Sequence, residues 1–366
     1  MKKQERKDPD YTIFLVTVIL LAFGLVMVFS ASIIVAHVRE DHFYYLRRQA
    51  FWAVLGLVSL FFVSRVNYWK LKKLIWPMVI LNFVLLASVY IPGVGVVINN
   101  ARRWISIGGL SIQPSEFTKL TVVVFTAWFL SRPEVKMNNF FKSSLIPLSL
   151  MGASFLLILQ QPDLGTGVAI AATTGLIIVI AGMPLWQIFA LSLMAGPLGY
   201  YLAMSEDYRR QRILSFLDPW ADPLDSGYHI IQSLLALGPG GLLGAGLGLS
   251  RQKLYYLPEP QNDFIFAIIG EELGFLGTFT VLVLFFILLW RGFKVALHAP
   301  DSFGSLLAAG ITGMIGLQVL INIGVVTGSM PVTGINLPLI SAGGSSLFFT
   351  LTAIGVLLNV SRYTKI

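Results

Sequence analysis

The chain has 366 residues, 56% of them hydrophobic and only 12% charged, with a formal net charge of +8. A soluble domain of this length needs more polar residues to cover its surface, so the composition excludes ordinary soluble folds. The positive charge is then a clue to topology and lipid contact ahead of nucleic-acid binding. With no cysteine and four scattered histidines, disulfides, thiolate chemistry and a histidine-rich metal centre are excluded too.

The N-terminal "MKKQERKDPDYTIFLVTVILLAFGLVMVFS" places basic residues ahead of an apolar run well beyond the roughly 7–15 residues of a signal-peptide core. It predicts an uncleaved first span. A helix needs about 20 apolar residues to cross a bilayer. On that ruler ten spans follow, near 12–34, 49–64, 74–92, 117–130, 144–160, 166–182, 185–204, 263–290, 305–326 and 344–360. The expected fold is an all-α polytopic integral membrane protein, a single membrane domain over residues 1–366.

An even number of spans puts both termini on one side. Under this segmentation 15 of the 26 Lys and Arg fall on the side of the termini and 11 on the other, five of those in one long segment. Long loops count little in the positive-inside rule, so both termini are expected to be cytoplasmic. Residues 205–262 then form a large extracellular loop between spans seven and eight, too long for a mere connector. Its "GPGGLLGAGLGLS" follows no strand and lacks phosphate-loop spacing, so it reads as a tight re-entrant or surface turn.

Ionisable residues at membrane depth are costly, and here they gather toward the outer half. In "QPSEFTKL", Glu116 and Lys119 share one face of a helix that begins after Pro114-Ser115, as a structural ion pair or as one that orients a substrate group. In "QPDLGTG", Asp163 stands at a broken backbone between two apolar runs, where it caps the following helix or meets a cation. The long loop offers Arg209, Arg210 and Arg212, suited to phosphate or to lipid headgroups. Further on, "LPEPQNDFIFAIIGEELG" places Asp263 at the membrane edge, with Glu271 and Glu272 more than two helical turns deeper. Two adjacent carboxylates at that depth need polar partners or protons. The pattern fits a general base acting on a lipid-linked substrate, and equally a proton-coupled transporter.

Taken together and in order, "NNARRWISIGG", "QPSEFTKL", "QPDLGTG", "DPWADPLDSGYHIIQS", "LPEPQNDFIFAIIGEELG" and "NIGVVTGSMPVTGINLPLISAGGSS" resemble the shape, elongation, division and sporulation family of membrane proteins. The likeness spans nearly the whole chain. "SRQKLYYLPEPQNDFIFA" is nearest the SpoVE and FtsW branch, with RodA further off.

The resemblance implies a peptidoglycan glycosyltransferase of the bacterial cytoplasmic membrane that polymerises lipid II beside a class B penicillin-binding protein. A lipid II flippase, or a scaffold that recruits a transpeptidase, is the alternative. By motif, Asp263 matches the family's catalytic aspartate, Glu116 and Lys119 its charged pair, and Asp163 its "QPDLG" aspartate. Arg103, Arg210 and Arg212, with Arg48 behind them, match positions for pyrophosphate contact. A divalent cation such as Mg or Mn could neutralise the departing pyrophosphate, or the basic cluster could do so alone. One departure is Ala342, where the family usually carries tyrosine.

Overall fold

The computed structural model describes residues 7–37, 40–98, 101–254 and 256–364. Lys2, Lys3, Arg6, Arg39 and Lys365 of the charge asymmetry, and Asn99, Asn100 and Tyr255 of the motifs, lie outside the described residues.

The helices are α1 (Tyr11–His37), α2 (Tyr44–Arg65), α3 (Leu71–Ser88), α4 (Pro114–Leu130), α5 (Phe140–Ser143), α6 (Leu145–Gln160) and α7 (Leu164–Ile180). They continue with α8 (Leu185–Met204), α9 (Asp207–Leu217), α10 (Tyr228–Leu237), α11 (Ile265–Leu297), α12 (Ser302–Val326) and α13 (Gly344–Ser361). Each of the ten expected spans falls on one of these. Among the described residues seven helices are long and apolar enough to cross a membrane, counting α3 with the short turn before it, and α6 and α7 are shorter apolar ones. The fourth expected span, α4, has 17 residues and carries the Glu116–Lys119 pair.

Local chemistry sets where these helices begin. Pro114 opens α4, where its missing N–H costs nothing. Asp301 caps α12 by accepting from Gly304 N, and it also binds the Tyr68 hydroxyl at 2.6 Å and the Trp69 indole at 2.8 Å. That junction ties the start of α3 to the start of α12.

The core lies along α4, α12 and α13, whose residues are buried nearly throughout. α2, α3, α8 and the far half of α11 instead expose large apolar side chains, the expected surface of a lipid-bathed bundle. Lys7 N donates to Arg362 O at 2.9 Å, and Arg291 pairs with Asp10, so both ends of the described chain lie at one end of the bundle.

The expectation of an all-α chain needs one correction. Residues 95–112 form an antiparallel sheet, β1 (Gly95–Ile98), β2 (Ala101–Ile107) and β3 (Leu110–Ile112), in the order β1-β2-β3. The stretch is rich in Val and Ile, which suit a pleated surface. Gly108 and Gly109, both at positive φ, close the β2–β3 turn.

Candidate active site

Five segments meet at one end of the bundle: the sheet, the turn into α7, α9, the turn before α11, and residues 331–343. Asp163 caps α7 by accepting from Thr166 N at 3.2 Å. It also accepts from Gln113 Nε2 at 3.1 Å and lies 3.8 Å from Arg103 Nη1. Cap and ion pair are therefore both present on one carboxylate. Arg103 is itself held by the Gln161 carbonyl, to which its Nε donates at 3.0 Å, and by the Pro162 carbonyl.

Asp263 lies two residues ahead of α11, not on its first turn as the periodicity suggested. Its backbone is fixed from three sides. Asn322 Nδ2, from α12, donates at 2.8 Å to both the Asp263 and Ile335 carbonyls. Ser341 Oγ donates to Asn262 O at 2.7 Å, Ala342 N donates to Gln261 O at 2.8 Å, and Gln49 Nε2 donates to Ser341 O at 3.0 Å. Gly334, whose φ of +77° favours glycine, abuts the carboxylate: a Cβ there would meet Asp263 Oδ2 at 3.6 Å, an ordinary contact.

Burial pushes the Asp263 carboxyl up to about 6, with the Glu259 charge adding to the rise while Arg212 and Arg103 pull the other way. Arg212 is the arginine of the cluster that enters this field. Burial and Arg103 lower its pKa, whereas Tyr208, Asp263 and Asp163 support its charge, and its Nη1 donates to Val332 O at 3.3 Å. Arg209 is instead buried at the α8–α9 corner, bound to the Tyr208 hydroxyl, Leu202 O and Ser205. Arg210 is exposed on α9, and Arg48 donates to the Tyr44 hydroxyl at 3.4 Å on α2. Of the expected arginines, Arg103 and Arg212 are the two whose charges act on Asp263.

Glu116 and Lys119 form a buried pair at 2.8 Å, and Lys119 also donates to Gln318 Oε1 at 2.9 Å. They line a cavity of about 20 Å³ with Gln113, Thr166, Gly334 and Asn336. That volume suits about one water molecule. Gly334 both lines this cavity and abuts Asp263, so the pair and the loop beside the carboxylate share one small cavity.

The deeper carboxylates do different work. Glu272 pairs with Lys253 at 2.7 Å and accepts from Ser30 Oγ at 2.6 Å. Glu271 accepts from Ser250 Oγ and from Arg251 N at 2.7 Å. Both anchor residues 250–253 against α11.

Sequence reasoning missed Asn322, Gln113 and Gln318, polar residues in or beside apolar helices whose partners lie far along the chain. It also missed His229, whose ring stacks on Phe264 with centroids 5.8 Å apart and whose pKa burial lowers. Among the described residues no group of three His, Asp or Glu side chains is placed to hold a metal ion.

Residues 11–366 match the family described as cell cycle proteins of the FtsW, RodA and SpoVE type. The chain is 49% identical to stage V sporulation protein E of Bacillus subtilis, over 99% of both chains. It is 42% identical to the probable peptidoglycan glycosyltransferase FtsW of Geobacter sulfurreducens, over 97% of this chain and 96% of the relative. Among solved structures, a chain from a peptidoglycan synthase complex that coordinates polymerization and crosslinking superposes with TM-score 0.78 at 32% identity, covering 98% of each. Thermus thermophilus rod shape determining protein RodA superposes with TM-score 0.71 at 30% identity, again over 98% of each. These matches confirm the resemblance that the motifs carry: the chain is a multi-pass membrane protein and belongs to the FtsW/RodA/SpoVE family.

Proposed function

We propose that the chain is a peptidoglycan glycosyltransferase that polymerises lipid II at the outer face of the bacterial cytoplasmic membrane, for division or spore-cortex synthesis. In this reading all ten apolar helices cross the membrane, both termini are cytoplasmic, and residues 205–262 are an extracellular loop of a single domain over residues 1–366. The FtsW relatives are named as probable peptidoglycan glycosyltransferases, which supports the activity. The neighbour from a synthase complex that also crosslinks supports a class B penicillin-binding partner.

Asp263 is the observation that carries the reading. It is a carboxylate at the edge of a spanning helix, made more basic than usual by burial and lying in the field of the Arg212 and Arg103 charges. With a pKa of about 6 it is ionised at neutral pH and still a better proton acceptor than an ordinary aspartate. It takes the proton of the acceptor sugar's 4-hydroxyl as that oxygen attacks the donor's anomeric carbon. The anomeric carbon–oxygen bond to the lipid pyrophosphate breaks from the opposite face, and its electron pair leaves on the pyrophosphate. Attack opposite the leaving group inverts the anomeric centre.

Arg212 and Arg103 receive the departing charge, fixed donors in a partly dry site. Asp163 and Gln113 orient Arg103, while Glu116 and Lys119 brace the Gly334 loop. Arg210, exposed on α9, and Arg48, half-buried on α2, meet the lipid-linked substrate on approach. A flippase or proton-coupled transporter would draw on Asp163, Glu271 and Glu272. Their engagement as a helix cap and as loop anchors favours the polymerase. The test is polymerisation of labelled lipid II in detergent, where no membrane needs crossing, with Asp263→Asn expected to abolish product.

A further inference from the structure

The helix α11 breaks its own ladder at Gly274, whose φ of 66° and ψ of −159° are not helical. The freed groups are taken by the glycine-rich stretch. Ala245 N and Gly246 N donate to the Glu271 and Glu272 carbonyls at 2.9 and 3.0 Å, and Phe275 N and Leu276 N donate to the Gly241 and Leu242 carbonyls at 2.8 and 3.2 Å. Only glycine allows so close an approach: a Cβ on Gly244 would lie 2.2 Å from Glu272 O, and one on Gly274 would lie 2.4 Å from Gly244 N.

Two helices measure how deep this contact lies. Glu272 is seven residues inside the start of α11, and its partner Ser30 is seven residues inside the end of α1. Each distance is about 10 Å at the rise of a helix. The 27 residues of α1 make it about 40 Å long, which overshoots a hydrocarbon core of about 30 Å by about 5 Å at each end. The 33 residues of α11 reach about 50 Å by the same rise, about 10 Å beyond the core at each end, so the 241–246 stretch sits between the hydrocarbon boundary and about 5 Å below it.

At that depth irregular backbone is tolerated only where protein satisfies it, which the kinked helix does. The side chains turned outward are Leu242, Leu243, Leu247 and Leu249, with relative exposures of 70%, 76%, 55% and 64%. They continue the exposed apolar stripe of Phe275, Leu276 and Phe279 on α11. Residues 238–249 hold no charged side chain, in contrast to the Arg- and Asp-rich 206–225 of the same long segment.

We propose that residues 241–249 are a re-entrant wedge whose leucines insert among the acyl chains of the leaflet on the Asp263 side, anchored by the Lys253–Glu272 pair. Lipid acyl chains are the occupant that the depth and the continuity with the apolar stripe of α11 favour.

The absence of cysteine makes a clean test possible. Leu243→Cys and Leu224→Cys are each labelled with the fluorophore NBD, and the full chain is placed in phosphatidylethanolamine–phosphatidylglycerol nanodiscs. Leu224 is the control because it is 88% exposed and lies in the charged part of the same segment. The label at position 243 is expected to be quenched several-fold more by lipid nitroxides at a shallow acyl position than the label at 224, and much less by aqueous iodide. Iodide quenching equal at both positions would place the stretch in water and overturn the proposal. Shielding of position 243 from both quenchers would also overturn it, because protein rather than lipid would then cover the leucines.

Discussion

Asn322 donates from one carboxamide nitrogen to two backbone carbonyls, those of Asp263 and Ile335, at 2.8 Å each. The contact joins the turn that bears the proposed base to the loop that carries Gly334, and it does so from a third element, α12. Asn322→Leu removes both bonds and leaves two carbonyls short of a donor. Turnover is expected to fall about ten- to a hundredfold, the usual cost of about 1 Å of misplacement, while the apparent KM for lipid II changes little. Single-turnover polymerisation assays separate the two. A rise in KM with unchanged turnover would show that Asn322 serves binding instead.

The pH dependence follows from Asp263. A base must be unprotonated to act, so the rate is expected to rise with pH through about 6 and level off above it. Glu259 contributes to the raised value through its charge. Glu259→Gln is therefore expected to move the acid limb of the profile to lower pH, and Arg212→Gln to move it higher. A pH–rate profile of each variant checks this, and an acid limb unmoved by both changes would remove Asp263 as its source.

Much of this arrangement was legible in the sequence, and the remainder was hidden for physical reasons. The ten helices follow from apolar run lengths, and the pairing of Glu116 with Lys119 follows from an i, i+3 spacing on one helix. The cap at Asp163 was likewise readable, because Asp beside Pro and Gly at the start of an apolar run is a local signal. Asn322, Gln113 and the choice of Arg212 over Arg209 and Arg210 were not readable, since they depend on contacts between residues 50 to 120 apart in the chain. The sheet over 95–112 was passed over because its strands are short and sit beside long hydrophobic spans that dominate the composition.

The Lys253–Glu272 pair gives a stability prediction. Glu272 is fully buried and Lys253 nearly so. Breaking a buried pair from one side strands a charge at a cost of about 3–5 kcal/mol. Lys253→Met is therefore expected to lower the unfolding midpoint by several degrees in tryptophan-fluorescence melting. The double variant Lys253→Met with Glu272→Gln is expected to recover most of the loss, because no uncompensated charge remains. Equal losses in the single and double variants would show that shape, not charge, holds the segment.

The raised pKa of Asp263, the proposed base, costs stability. Its folded pKa lies above the unfolded value, so the folded state holds the proton more tightly. Ionisation then works against folding. That cost is present in full above about pH 6, shrinks as pH falls from there toward 4, and vanishes below the unfolded pKa. Asp263→Asn is expected to melt at a higher temperature than the native chain at pH 7.5, with the difference closing near pH 4. A lower melting temperature at pH 7.5 would mean that the carboxylate is stabilised by its arginines after all.

The central claim is that this chain makes glycan polymer and that Asp263 is its base. The most direct measurement gives labelled lipid II to the purified chain with a class B penicillin-binding protein, the proposed partner, in detergent, and resolves the products by length. The expected result is polymer from the native chain and none from Asp263→Asn, although that variant folds and binds the partner. Polymer from Asp263→Asn at the native rate would contradict the account.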